Sequence, residues 1–353
     1  MVHVNIPLNE SKLTQKDDIL ICARNGSKNL VGKAALIESN GMSFGAFMAI
    51  YRSPYNAYIY RFLNSPCFRT QLGDANTTTI NQITQDMLRK IICPLPPLAE
   101  QQRIVARIEE LMPLVEAYDH EEQKLSALEA AFPEALRQSI LQYAVEGKLV
   151  LQKAEDGTAA ELLAKIRKER EGLVKAGKIK KVKPLSPVSD EEKPFEIPAS
   201  WEWVKLGNLC DIVTGSLDAN AQSVSGTYPF FTCGVDVLKT KEYAFDCEAI
   251  LLGGNNAQAD YKMHYFTGKF NAYQRVYVIT SRCYVYLPYI YYVIQKYLSY
   301  FKTVSKGTLT KYLVIGQLLN LLTPLPPLAE QQRIVERVEE LMELCDRIPI
   351  HGK

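Results

Sequence analysis

Apolar side chains at Ile104, Ile108, Leu111, Val115 and Tyr118 alternate spacings of four and three, which sets them along one seam of a coiled-coil-like helix. The stripe continues through Leu125, Leu128, Phe132, Leu136, Ile140 and Tyr143, so the pattern predicts one long helix from Leu98 to Tyr143 or further, with Pro113 and Pro133 as kink points. Pro94 to Pro97 forbid helix before it and favour an extended approach, and Glu100 suits the positive end of the helix dipole. Upstream, DDILICARNGSKNLVGKAALI reads as strand, exposed loop, strand, followed by a strand-like run from Phe44 to Tyr51 and a helix near Tyr58 to Leu63. Downstream, the same order returns: strands near Ala249 to Leu252, Tyr261 to Phe266 and Arg275 to Thr280, then a helix near Pro288 to Tyr300. The pattern predicts an α+β domain that occurs twice.

The repetition is explicit in the letters. PLPPLAEQQRIVARIEELM begins at Pro94 and PLPPLAEQQRIVERVEELM at Pro324; over nineteen positions only Ala106/Glu336 and Ile108/Val338 differ. Weaker matches extend the repeat upstream: Val4-Asn5 with Val235-Asp236, Ile19-Leu20 with Ile250-Leu251, and Tyr58-Ile59-Tyr60 with Tyr289-Ile290-Tyr291. Phe44-Gly45-Ala46-Phe47 pairs with Phe270-Asn271-Ala272-Tyr273 at the shorter offset of 226, which implies a loop-length difference. Each unit is a globular part followed by a helix. On this arithmetic the first globular part lacks its opening strands and the second helix lacks its far half. The expected divisions are 1–93 (first globular part, incomplete), 94–150 (first helix), 151–200 (a short helix from Ala159 to Gly172, then a linker), 201–323 (second globular part) and 324–353 (second helix). Two related helices at equivalent places can pack on one another, through Ile104, Ile108, Leu111 and Val115 of one and Ile334, Val338 and Leu341 of the other. The alternative is that each stripe covers its own domain's core; the length of the first favours the pairing.

The composition, 47% hydrophobic and 23% charged residues, is ordinary for a globular chain. No stretch reaches the about eighteen apolar residues of a membrane span, and MVHVNIPLNE is no signal peptide, so a cytoplasmic protein is expected. The eight cysteines form no CxxC pair and the four histidines are dispersed, which argues against zinc and for reduced, buried thiols.

Local charge says more than the net +2. Ala249 to Gly316 carries eight Lys or Arg residues against Asp260 alone, with twelve tyrosines interleaved, and Ile19 to Gln85 carries six against Glu38 and Asp74. The basic run from Lys165 to Lys183 is better read as a solvated linker than as a phosphate grip. In the globular parts, Arg and Lys can hold phosphates and guanine while Asn and Gln pair bidentately with adenine. The candidate DNA-contacting residues are Arg24, Asn25, Ser27, Lys28, Thr78 and Asn81 in the first part, and Asn255, Asn256, Gln258, Lys262, Tyr273, Gln274, Arg275, Lys306, Thr308 and Lys311 in the second. Asn-Gly and Thr-rich segments also serve as plain turns.

A globular part that ends in PLPPLAEQ and enters a long helix, repeated once, resembles the specificity (DNA-recognition) subunits of type I restriction-modification systems. GSKNLVGKAA followed by SFGAF, GKFNAYQRVYV, and QSILQYAVEGKLV before WEWVKLGNL are similar to that family's stretches. The resemblance implies two α/β target-recognition domains, the first incomplete, separated by long helices packed as an antiparallel coiled coil. Each domain would read one half of a split site in double-stranded DNA. The helices would dock adenine-methylating subunits, with restriction/translocase subunits joining, and S-adenosylmethionine, ATP and Mg would belong to those partners. The chain itself has no NPPY/F-type motif, S-adenosylmethionine glycine motif or GxxxxGK[ST] loop, so no enzyme and no metal site is expected in it. A coiled-coil adaptor that does not read DNA, or an inactive truncated product, is the alternative.

Overall fold

A computed structural model describes residues 13–72, 76–77, 80–177, 185–256, 258, 261–282 and 284–348, with backbone alone for Lys28, Asn76, Thr77, Ile80 and Asn81. The Val4-Asn5 match, Thr78, Cys283 and the end of the basic run beyond residue 177 lie outside the described residues. The chain divides into two compact units, Met1–Leu125 and Ser126–Lys353.

The first unit is built on β1 (Ile19–Cys22), flanked antiparallel by β2 (Ala34–Leu36) and β3 (Met48–Tyr51). α1 (Asn56–Leu63) and α2 (Pro66–Leu72) follow, then a short hairpin of β4 (Asn76–Thr77) and β5 (Ile80–Asn81), and α3 (Gln85–Arg89). Ile19 and Ile21, two apart and so on one face of β1, join Ile59, Phe62, Leu63 and Phe68 in its core. α4 (Leu98–Val145) begins in this unit, runs unbroken through Pro113 and Pro133, and ends in the second.

Arg52 is used for structure. Its Nε and Nη2 each donate to one oxygen of the buried Asp18 carboxylate at 2.6 Å, a bidentate pair. The Arg52 hydrogen bond, with that of the Gln15 amide, holds the Asp18 carboxyl below the usual carboxylate range. A depressed folded-state value stabilises the fold above the unfolded value of about 4, and that contribution is lost as pH falls through the folded value. Asp18→Asn is therefore expected to destabilise the first unit by about 2 kcal/mol at neutral pH and to flatten its acid-side stability loss. Urea melts at several pH values check both effects.

The second unit holds the end of α4, α5 (Ala159–Lys175), β6 (Glu202–Lys205), β7 (Cys210–Thr214), β8 (Tyr228–Phe231), β9 (Leu238–Thr240), β10 (Phe245–Gly253), β11 (Asn255–Asn256), β12 (Met263–Ala272), β13 (Val276–Ser281), α6 (Leu287–Val304), β14 (Lys311–Tyr312), α7 (Ile315–Leu319), β15 (Leu322–Leu325) and α8 (Leu328–Asp346). A six-stranded sheet runs β7-β13-β10-β12-β8-β9. Its central strand β10 is apolar on both faces, as burial on both sides requires: Ile250 and Leu252 join the large core under α6, while Ala249 and Leu251 join a smaller aromatic core with Phe231 and Phe270. The second proline run is not merely extended; β15 pairs antiparallel with β6.

Within this unit the end of α4 lies antiparallel to α8. Ile140, Leu141, Ala144 and Val145 share a core with Ile334, Val335, Val338 and Cys345. Arg137 pairs with Asp346 near the end of α8, and Gln152, beyond α4, donates to Glu330 near its start. Leu341 packs half-buried on the same core. Ile104 and Ile108 are half-buried, but Leu111 and Val115 are 39% and 56% exposed, so the expected seam is not closed over them. The reason is reach: α8 has 19 residues against 48 in α4, and its apolar face is already packed against the end of α4 and α6.

Candidate nucleic-acid interface

In the second unit, candidate loops far apart in sequence meet at one edge. Asn255 lies opposite Tyr312 and Asn256 opposite Lys311 in the β11–β14 pair. Just before it, the Gly254 N–H donates to the Arg275 carbonyl (2.7 Å) and the Gly254 carbonyl accepts from Leu313 N–H (2.8 Å). A Cβ at Gly254 would sit 2.6 Å from that Arg275 oxygen, so the approach requires glycine. Lys306 bridges to Tyr312, and Gly307, at φ +94°, turns the loop between them. The Lys262 carbonyl accepts from Gly253 N–H, which brings β12 to the same place.

Tyr273, Gln274 and Arg275 form the β12–β13 turn; Gln274 N–H donates to the Leu217 carbonyl, and Gln274 and Arg275 are exposed. Behind the edge, burial pushes the Tyr277 phenol up, keeping it protonated, and it donates to the Leu313 carbonyl at 2.9 Å. The Cys233 thiol, raised by the same cause, donates to the Arg275 carbonyl. Thr308 is exposed on the turn beyond Lys306.

The first unit repeats this frame. Arg24 bridges to Gln82 as Asn255 does to Tyr312. Ala23 N–H donates to the Phe47 carbonyl (2.9 Å) and the Ala23 carbonyl accepts from Ile83 N–H (2.7 Å), the two bonds that Gly254 makes with Arg275 and Leu313. Asn81, next to Gln82, pairs with Asn76 in the hairpin. Ser27 precedes the single helical turn Lys28–Leu30 and is exposed. The Arg24 guanidinium lies 5.0 Å from the Phe47 ring centroid, a cation–π distance.

This matching revises one sequence equivalence. Tyr51 faces Ile19 as Ile279 faces Ile250, so β3 and β13 correspond at an offset of 228, not 226, and Phe47 stands where Arg275 does, not Tyr273. Sequence reasoning missed Gln82, Phe47, Tyr312 and Tyr277. The charge excess is also smaller than the count suggests: Arg52, Arg61 and Arg282 pair with Asp18, Glu109 and Asp211, and Arg69 donates to the Val31 carbonyl. Of the cysteines, Cys67 is exposed and Cys93, Cys233 and Cys247 only partly buried, so burial holds for Cys22, Cys210 and Cys345. Among the described residues no group of His, Cys, Asp and Glu is arranged to hold a metal ion, and no helix is long and apolar enough to cross a membrane.

A duplicated loop frame, each copy followed by the same helix start, defines the class. Residues 3–130 and 198–349 match the family model described as the type I restriction modification DNA specificity domain, and the chain belongs to that family. It is 30% identical over 395 residues to the type I restriction enzyme EcoAI specificity subunit of Escherichia coli, a match covering 90% of this chain and 66% of that protein. The EcoDI specificity subunit of Escherichia coli is 35% identical over 147 residues, covering 42% of this chain and 32% of the relative. The chain thus spans less than two thirds of the length of either. The crystal structure of the HsdS subunit from Thermoanaerobacter tengcongensis is similar with a TM-score of 0.51 and 19% identity, over 95% of this chain and 75% of that one. A structure from a study of type I R-M complex assembly gives 0.54 and 20%, over 95% and 76%. These likenesses show a shared fold, mixed α+β with β-sheet domains and long helices.

Proposed function

We propose that the chain is the sequence-specific DNA-binding subunit of a type I restriction-modification complex, reading a bipartite site with residues 1–93 and 201–323. The observation that carries this reading is the loop frame built twice, presenting Arg24 in one unit and Asn255, Arg275, Lys306 and Lys311 in the other. Catalysis belongs to partner subunits, an adenine methyltransferase and a restriction/translocase, which hold S-adenosylmethionine, ATP and Mg. The exposed apolar side chains of α4, Leu111, Leu114, Val115, Tyr118, Leu125, Leu128 and Phe132, give such partners a helical face to pack on.

Phosphate contacts release counterions, so affinity falls with salt in proportion to their number. Lys306→Ala and Lys311→Ala are each expected to weaken binding of the full chain to duplex DNA across sequences and to lower the salt slope by about 1. Fluorescence anisotropy at several salt concentrations measures both. An unchanged slope in both variants contradicts the placement of this edge against DNA, and affinity for duplex no better than for a neutral polymer would favour the adaptor.

A further inference from the structure

The repeat extends below the level of strands, to single side chains. Asn25 Oδ1 accepts from Ser27 N–H at 2.9 Å, and Asn256 Oδ1 accepts from Gln258 N–H at 2.8 Å. The two turns correspond, Asn25 following Arg24, which bridges to Gln82, and Asn256 following Asn255, which pairs with Tyr312, although Asn256 also pairs with Lys311. In each pair of neighbours, Arg24-Asn25 and Asn255-Asn256, the second side chain is therefore committed to folding the loop. The first is not. Among the described residues neither the Asn255 carboxamide nor the Arg24 guanidinium makes a hydrogen bond, and the Arg24 guanidinium lies over the Phe47 ring. Both are only partly buried.

A side chain held by its backbone on both sides, with unused donors and acceptors at its tip, is preorganised for recognition. A guanidinium held over an aromatic ring, with its N–H groups not taken up by acceptors of the fold, keeps a donor fork that matches the O6 and N7 acceptors of guanine. A free carboxamide matches N6 and N7 of adenine.

We infer that Arg24 and Asn255 are equivalent base-reading positions, Arg24 selecting a guanine in one half of the target and Asn255 an adenine in the other. Asn25 and Asn256 are positioning residues that shape the loop beneath them. This rests on the DNA-reading function proposed above.

The test is selection of the full chain on a pool of duplexes with a randomised central block, followed by sequencing of the retained fraction, with thermal melts to establish folding. Asn255→Arg is expected to convert one enriched adenine to guanine, a shift of about 10- to 100-fold in relative enrichment, and to leave the other half of the motif unchanged. Arg24→Asn is expected to do the converse. Two conservative variants guard against misfolding: Asn255→Asp, isosteric, loses the adenine, and Arg24→Lys, which keeps the charge but not the fork, loses the guanine preference. A wild-type motif that all four variants retain overturns the inference alone. A uniform loss of affinity with the motif intact makes both side chains phosphate contacts and also overturns it. A wild-type chain that retains duplexes with no base preference overturns the DNA-reading function together with the inference.

Discussion

Ile334→Asp is expected to unfold the second unit in the absence of denaturant. Ile334 is fully buried between the end of α4 and α6, in the core that also contains Val338 and Leu141. A carboxylate placed in this apolar core is desolvated, and the isoleucine packing is lost as well. The combined cost is on the order of 5 kcal/mol, comparable with the whole stability of many domains. The readout is specific, because Trp201 and Trp203 are the chain's two tryptophans and both belong to this unit. Their emission should shift to the wavelength of exposed indole in buffer alone. Native-like emission with a two-state urea transition near that of the wild type would mean that α8 does not pack as described.

The second large effect is expected at Trp201, which joins packing to a buried charge. Its indole is 4% exposed, and its Nε1–H donates at 3.0 Å to Glu330, a carboxylate that is itself almost wholly buried. Burial pushes the Glu330 carboxyl up; the hydrogen bonds from Gln152 and Trp201 oppose that shift. Trp201→Ala removes the ring and one of these donors together and should cost about 4 to 5 kcal/mol. Trp201→Phe keeps most of the packing and removes only the donor, so it should cost about 1 to 3 kcal/mol. Urea melts followed by Trp203 emission separate the two. Equal losses in both variants would assign the effect to the hydrogen bond alone.

The long-range architecture was legible where local pattern and tertiary packing agree. The four-and-three spacing predicts a helix over residues 98–143, and α4 runs from Leu98 to Val145. The repeated proline segment announces two equivalent units, and the structure carries the equivalence into hydrogen bonds: Tyr58 donates to the Pro94 carbonyl as Tyr289 does to Pro324, and Gln101 to Pro96 as Gln331 to Pro326. Less visible was the β15–β6 pair, because prolines weaken a strand signal and only the partner strand reveals the pairing. The fate of the α4 stripe was not legible either. Periodicity identifies an apolar face without naming its cover, and Ile140 is covered where Leu125 and Phe132 are not.

The candidate site was legible as residue types in loops, but not as an assembly. Nothing in the letters sets Asn255 beside Tyr312, or Arg24 beside both Gln82 and Phe47; these proximities come from strand pairing across long intervals. Nor could sequence separate the neighbours Asn255 and Asn256, of which Asn256 accepts the Gln258 N–H. Arg52 and Arg282 add to the basic count in the sequence, but in the fold each is paired, with Asp18 and Asp211.

Long-read mapping of adenine methylation in cells that co-express this chain with an adenine methyltransferase subunit would show whether it supplies the address for methylation, as proposed above. The expected result is a split methylated motif that appears only when both chains are present, with one half altered by loop substitutions in the first unit and the other half by those in the second. A stable complex of the two chains that leaves the DNA unmethylated at any recurring motif would contradict it.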